Sequence, residues 1–326
     1  MAADPDRLIC VDVGTTNTRA WSLRGAEVVE RLEQAVGARD VAREGKADVL
    51  RGALAGLVGR LLEKLPAAER PSCIAGAGML TSRHGIVEVP YVAAPASVSQ
   101  LRSAVKRVDL PELAGLPLAL VPGVQTLQRP GAHAGVPASD VMRGEETLCM
   151  GLLELGRLSP GDALLNLGSH WKLIQTDAES RIAWSFTSLA GELLHAIRRE
   201  TVLASALPEG SLAALDAASF DEGMAELRRS GLARAFFCLR LFELAGARTP
   251  PQQLSFAIGV LVASDLDAWS RAGLLPRGRV LVVGDDKVGG AWSHALRAAS
   301  CRPDALSATE FEAGFLAGLR LLAIEL

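Results

Sequence analysis

The sequence predicts an α/β protein built as two similar halves, and three observations predict it. Short apolar runs rich in branched residues, such as LICVDV at 8–13 and RVLVV at 279–283, alternate with stretches of helical periodicity. A strand, a glycine-led polar tip and a returning strand occur near residue 14 and again near residue 168. Between the two lies GRLSPGD at 156–162, a turn-rich stretch that places a boundary there, with a first domain over 1–155 and a second over 156–326.

The first hairpin spans residues 8–24, LICVDVGTTNTRAWSLR. Its opening run is unbroken and branched, as a strand buried on both faces would be, but Asp12 sits inside it. Gly14, Thr15, Thr16 and Asn17 then form a tip, and apolar character returns at Ala20, Trp21 and Leu23. Such a tip offers backbone N–H groups and hydroxyls in a tight loop that a glycine makes approachable, which suits a polyphosphate. A buried aspartate beside it is costly unless it is paired or faces a metal. The spacing is neither that of a P-loop nor that of a dinucleotide fold.

Glu27 to Val36 continues as a strand and its turn. Apolar positions 50, 54, 57, 58, 61, 62 and 65 make a helical stripe that Pro66 closes, and SCIAGAGM at 72–79 returns as a strand of small residues. Gly76 and Gly78 allow a ligand to approach, and Thr81, Ser82, Arg83 and His84 place donors just beyond a strand end, where open α/β sheets bind ligands. LALVPG at 118–123 is a further strand, and a polar loop over 125–139 leads into VMRGEET at 141–147, before a helix from Leu148. Glu145 and Glu146 match the positive end of that helix, while Arg143 is the wrong charge for it. An acid pair beside an arginine suits proton abstraction and the holding of an anion.

In the second half, ALLNLGSHWKLIQTD at 163–177 repeats the opening hairpin, with Gly168, Ser169, His170 and Lys172 at or near its tip. His170 reads as a hydrogen-bonding loop residue, since no other histidine stands at ligand spacing. WSFTSLAGELLHAI at 184–197 enters a helix through Ser188 and Gly191-Glu192, and helices fill much of 200–275 with breaks at Pro208, Pro250 and Pro251. Strand 280–283 then runs into a loop, Gly284-Asp-Asp-Lys-Val-Gly289-Gly290, which is compatible with a backbone-lined slot for adenine or ribose. A helix over 309–324 follows and is placed against the first domain.

Composition narrows the function. The 326 residues are 49% hydrophobic and 22% charged, enough for a sizeable core. A net charge of −3 and a pI near 6.0 leave no basic excess for nucleic acid or an anionic membrane. Aromatics stand at 4%, with Tyr91 the single tyrosine, so stacking platforms for single strands are lacking. Five scattered cysteines read as buried free thiols of a reducing compartment. The acidic N-terminus lacks a secretion signal, and no run reaches the roughly 18 apolar residues of a membrane span. A cytoplasmic location is expected.

DVGTTNTRAW resembles the first phosphate motif of the actin/hexokinase/Hsp70-like ATPases. Together with GMLTSRHGIVEVPY, VMRGEET, LGSHWK and TSLAGEL it occurs in the order and spacing of the 2-dehydro-3-deoxygalactonokinase family, over essentially the whole chain, VMRGEET being the most specific. The family usually carries Pro-Gly-Thr-His where this chain has Leu167-Gly168-Ser169-His170, and tends to place tryptophan after the lysine, where here Trp171 precedes Lys172. The resemblance implies two ribonuclease-H-like (actin-like ATPase) domains around a cleft. It also implies transfer of a phosphoryl group from ATP, with Mg²⁺, to the 6-hydroxyl of 2-dehydro-3-deoxy-D-galactonate in galactonate catabolism.

On that resemblance Asp12 is catalytic, orienting hydrated Mg²⁺. Gly14, Thr15, Thr16 and Asn17 hold phosphates from one lobe, and Gly168, Ser169, His170 and Lys172 from the other; Gly284 and Gly289 lie by the nucleoside. Glu145 or Glu146 accepts the hydroxyl proton, and Thr81, Ser82, Arg83 and Arg143 meet the sugar acid. The expected partner is a small sugar acid, with no nucleic acid or membrane; a homodimer is compatible with the chain. A kinase for another sugar or sugar acid is the nearest alternative. An acetate-kinase-like or polyphosphate-hydrolysing enzyme has no place for VMRGEET, and a non-catalytic actin-like ATP-binding module would carry a DNA-binding or filament segment that the sequence lacks.

Overall fold

Both faces of β1 (Arg7–Val13) are covered, which is why its sequence is an unbroken apolar run. In the computed structural model, which describes residues 7–66, 69–132, 135, 138–207, 214–284 and 286–324, Ile9, Val11 and Val13 pack with Leu54, Leu57 and Leu61. Leu8 and Cys10, on the opposite face, pack with Phe315, Leu316 and Leu319. Residues 1–6, on which the absence of a secretion signal was read, lie outside the described residues, as do Pro208, Asp285 and positions 133, 134, 136 and 137 of the 125–139 loop.

β1, β2 (Thr18–Arg24) and β3 (Glu27–Gln34) form an antiparallel meander. The chain then passes through α1 (Ala38–Glu44) and α2 (Asp48–Glu63) to β4 (Ile74–Gly78), which lies parallel to β1. There follow β5 (Val92–Ala93), α3 (Val98–Ser103), β6 (Lys106–Asp109), β7 (Pro117–Leu120), β8 (Val124–Thr126), β9 (Asp140–Met142) and α4 (Glu145–Glu154). The first sheet has the order β3-β2-β1-β4-β7-β6, and β5-β8-β9 make a small separate sheet.

The second half repeats this plan. β10 (Ala163–Leu167), β11 (Trp171–Thr176) and β12 (Ile182–Ser188) are again an antiparallel meander. Four helices, α5 (Ala190–Glu200), α6 (Ala217–Ser230), α7 (Leu232–Leu244) and α8 (Pro250–Ala272), lead to β13 (Arg279–Gly284), parallel to β10. After α9 (Asp286–Ala298) and β14 (Arg302–Ala305) comes α10 (Ala308–Ala323). The order β12-β11-β10-β13-β14 matches β3-β2-β1-β4-β7, so the expected pair of ribonuclease-H-like sheets is present.

Alternation along the strands then stacks the layers. Leu164 of β10 and Leu8 of β1 point into one cluster with Leu148, Leu152 and Leu319, so α4 and α10 lie between the two sheets. Leu165 and Leu167 point the other way, toward Phe256, Val260 and Trp292. Where α4 and α10 cross, backbone meets backbone: a side chain at Gly151 would overlap the Gly314 carbonyl, and one at Gly318 the Thr147 carbonyl. A second link between the halves joins β9 to β12, where Ser185 and Thr187 donate to Asp140 Oδ2 at 2.6 and 2.9 Å.

The structure corrects several boundaries. WSFTS at 184–188 is not a helix entrance but the end of β12, paired with β11 from Trp184 opposite Gln175 to Ser188 opposite Trp171. Pro250 and Pro251 open α8 rather than break it, since the first helical turn needs no proline N–H. The loop from Gly284 to Gly290 is shorter than its composition suggests: α9 begins at Asp286, so Gly289 and Gly290 are helical. α4 begins at Glu145 rather than Leu148, which puts both acids in its first turn. All five cysteines are free, and among the described residues no helix is long and apolar enough to cross a membrane.

Candidate active site

Each hairpin tip is held from behind by a helix N-terminus that approaches over a glycine. At the first tip Gly14 N–H donates to Asn17 O at 2.8 Å. Ala38 and Arg39, opening α1, donate to the carbonyls of Gly14 and Thr15 at 3.1 and 2.9 Å. Gly37 makes this possible, because a Cβ there would stand 2.6 Å from the Thr15 carbonyl. With these carbonyls engaged, Thr16 is left exposed and Thr15 and Asn17 half-buried at the surface of the tip. At the second tip Glu192 N–H donates to Ser169 O at 2.7 Å, and Gly191 gives α5 room against Gly168 and Ser169. Gly168 and Ser169 are exposed, and His170 Nε2 lies 3.3 Å from Glu192 Oε2, in the hydrogen-bonding role expected of it. Gly37 is not singled out by the sequence, and Gly191 only as part of a helix entrance; the signal available is a glycine just ahead of, or inside, a helix start.

The two glycines expected beside a nucleoside divide. Gly284 ends β13 at φ +138°, and a Cβ there would stand 2.6 Å from Leu167 O, so the position requires glycine. Gly289 lies inside α9, where a Cβ would meet only Val282 Cγ1 at 3.8 Å, an ordinary contact.

At the end of β1 the Asp12 carboxylate faces the start of α4. Gly78 closes β4 at φ +76°, and a Cβ on it would stand 2.9 Å from Asp12 Oδ1. Gly144, at φ +105°, carries the α4 N-terminus so close that its own Cβ would stand 3.3 Å from Gly78 Cα. Burial pushes the Asp12 carboxyl up to about 6; Arg19, 3.6 Å away, opposes this, while Glu145 and Glu33 add to it.

The two adjacent glutamates differ sharply. Glu146 is fully buried, accepting from Gly144 N–H at 2.8 Å and from the Thr147 hydroxyl at 3.1 Å. Glu145 keeps 18% of its side chain open. Its Oε2 accepts from the Arg143 backbone N–H at 3.2 Å, and its Oε1 lies 3.4 Å from Lys172 Nζ. Lys172 therefore does not end at the second tip, where its place in the sequence put it; it reaches across to α4 and also donates to Val141 O at 2.9 Å.

Of the residues expected on the substrate side, three are engaged within the fold. Thr81 is fully buried, donating to Gly78 O at 3.1 Å and accepting from Arg143 Nη1 at 2.8 Å. Ser82 donates to Met79 O at 2.8 Å and accepts from His84 N–H at 3.2 Å. Arg143 also donates to Val89 O at 2.8 Å, and its guanidinium lies 3.9 Å above the Tyr91 ring. It is a clamp on the segment after β4. Arg83 is exposed.

A family model described as 2-keto-3-deoxy-galactonokinase matches residues 12–320. The chain belongs to that family. Its curated relatives include the 2-dehydro-3-deoxygalactonokinase of Escherichia coli (strain K12), 26% identical over 97% of both chains. Another is a Rhizobium meliloti (strain 1021) protein named as a probable 2-dehydro-3-deoxygalactonokinase, 29% identical over 96% of both. A crystal structure from Sinorhizobium meliloti bearing the same enzyme name covers 96% of each chain with a TM-score of 0.74 at 22% identity. Gluconate kinase from Lactobacillus acidophilus shares the fold at 10% identity and a TM-score of 0.50, over 97% of this chain and 89% of that one.

The 2-keto-3-deoxy-galactonokinases are ATP-dependent sugar-acid kinases, and the features above are read in that light. One titration follows from the geometry. Burial, with the charge of Glu145 adding to it, pushes Glu146 from 4.5 to about 7. Between those values the folded protein holds a proton that the unfolded chain has released. The stability this proton carries is complete below about pH 4.5 and lost as the pH rises through about 7. Glu146→Gln, neutral throughout, should raise Tm by a few degrees at pH 8 and hardly at all at pH 5. Calorimetric melts at the two pH values check it; an equal offset at both would show that Glu146 does not titrate in this range.

Proposed function

We propose that the protein phosphorylates the 6-hydroxyl of 2-dehydro-3-deoxy-D-galactonate with ATP and Mg²⁺, in the cytoplasm, as a step of galactonate catabolism. The observation that carries the reading is Glu145: a partly open carboxylate in the first turn of α4, coupled to Asp12 at the end of a phosphate-type hairpin. The domains divide near 156–162, at 1–155 and 156–326, with α10 returning to the first.

Phosphoryl transfer asks a protein mainly for positioning and charge stabilisation. Thr15, Thr16 and Asn17 hold phosphate oxygens from one hairpin, Gly168 and Ser169 from the other. Glu145 accepts the proton of the sugar hydroxyl as its oxygen bonds to the γ-phosphorus and the bond from that phosphorus to the bridging oxygen breaks, the electron pair leaving with ADP. Glu146, sealed among internal donors, sets the start of α4 instead. Asp12 fits a divalent cation: it is a half-buried carboxylate among other acids, with Arg19 paired to it at 3.6 Å. No three His, Cys, Asp or Glu side chains converge as a metal cage among the described residues, so the ion would rest on Asp12 with water and phosphates completing its shell. When bound, Mg²⁺ neutralises charge on the phosphates.

For the substrate carboxylate the candidates are Arg83 and Arg143, and the geometry favours Arg83, because Arg143 is committed to Thr81, Val89 and Tyr91. Arg83→Ala should raise KM for the sugar acid roughly 10- to 150-fold, the loss of one charge-assisted contact of about 1.5–3 kcal/mol, and leave KM for ATP nearly unchanged. Equal KM values for the acid in wild type and variant would remove Arg83 from the site. The reading as a whole is tested by ADP release across a panel of sugar acids against a no-sugar control. It predicts turnover with 2-dehydro-3-deoxygalactonate; release that is independent of any sugar acid would overturn it.

A further inference from the structure

Lys172 belongs by sequence to the second hairpin and by contact to the first half. It stands two residues beyond the tip Gly168–His170, in the second position of β11. Its side chain is 5% exposed, and its ammonium donates to Val141 O at 2.9 Å and forms an ion pair with Glu145 Oε1 at 3.4 Å. A buried ammonium is costly unless it is paired, so the residue is held to these partners. The other Glu145 oxygen takes the Arg143 backbone N–H. The carboxylate is thus held by a backbone donor from its own half of the chain and by an ion pair from the opposite half.

We propose that Lys172 is a positioning residue for Glu145, and not a phosphate contact, and that through it the orientation of the proton acceptor is tied to the placement of the second hairpin. This rests on the reading of Glu145 as the base. β11 is paired on both edges, opposite Asn166 on one side and Thr187 on the other, so the segment from the tip to Lys172 is stiff. A displacement of the tip by its ligand is therefore carried to Nζ and so to the Glu145 carboxylate. Proton acceptance and phosphate placement then improve together, and a hydroxyl presented without the second tip in place meets a poorly oriented base.

The test uses the full-length protein with Lys172→Met, Lys172→Gln, Lys172→Arg, Glu145→Gln and the double variant Lys172→Met/Glu145→Gln. Lys172→Met should lower kcat about 10- to 100-fold, the scale of a misplaced reacting group. The Kd for ATP, from calorimetry without sugar acid, should stay within about threefold, since no phosphate contact is lost. Lys172→Arg, which keeps a cationic donor, should recover part of kcat. Lys172→Gln keeps a donor for Val141 O, so it reports on charge alone should the Met variant melt too low to assay. In the Glu145→Gln background the lysine change should cost little more, because it acts through Glu145. Two results would overturn the inference: ATP binding weakened tenfold or more with kcat preserved, or a full additional loss in the double variant. Should Glu145→Gln alone keep wild-type kcat, the assignment of the base fails instead, whatever Lys172 does.

Discussion

Glu145→Gln should lower kcat about 10²- to 10⁴-fold with little change in either KM, because the carboxylate accepts a proton only as the transition state forms. The amide is nearly isosteric and can still accept the Arg143 N–H through its oxygen, so the fold should survive. It leaves Lys172 facing a neutral group, and a modest fall in Tm should accompany the lost turnover. Glu146→Gln is the control: that carboxyl is sealed from the cleft, so the variant should keep most of its kcat. Steady-state rates for the pair decide the matter, and a loss in Glu146→Gln with Glu145→Gln near normal would reverse the two roles.

Asp12→Asn should keep the fold and remove most Mg²⁺-dependent turnover, by about 10²-fold or more, since a neutral amide orients a hydrated cation poorly and leaves the phosphate charge less well compensated. The carboxyl lies near 6 because of its burial and its acidic neighbours, so at pH 8 the wild type holds a charge there that Arg19 only partly offsets. The amide removes it, and Tm without Mg²⁺ should equal or exceed that of the wild type. Turnover with Mg²⁺ at the wild-type level in a folded Asp12→Asn protein would end the metal-orienting role.

The parts of this fold that were legible in sequence are those that local chemistry dictates. Both hairpins announced themselves because an apolar run, a glycine and a cluster of hydroxyls have few other uses, and the stripe of α2 shows in its spacing alone. α1 did not show, having only Ala38 and Val41 to bury. β12 was hidden because its edge residues Trp184 to Ser188, half-buried apart from Ser185, run without a break into a helix start. The choice between Glu145 and Glu146 could not be read either. Neighbours on a helix point about 100° apart, and which one meets solvent depends on where β1 and β4 lie, not on the helix itself. Lys172 stands just after a tip in the sequence; where its ammonium points is set by the packing of β9 on β12, a contact between distant segments.

The place of α10 between the sheets bears on how the protein is made. Trp21 donates to Glu312 across 291 positions of sequence, and Leu8, Cys10 and Leu23 share a cluster with Phe315, Leu316 and Leu319. At roughly 5–20 residues per second, a ribosome needs on the order of 15–60 s to travel that distance. Throughout this time the inner face of the earliest strands waits, apolar and without its cover, while the whole second half emerges and folds. The N-terminal half is thus the first to be synthesised and the last to be sealed, so chaperone protection during synthesis would matter most for its strands.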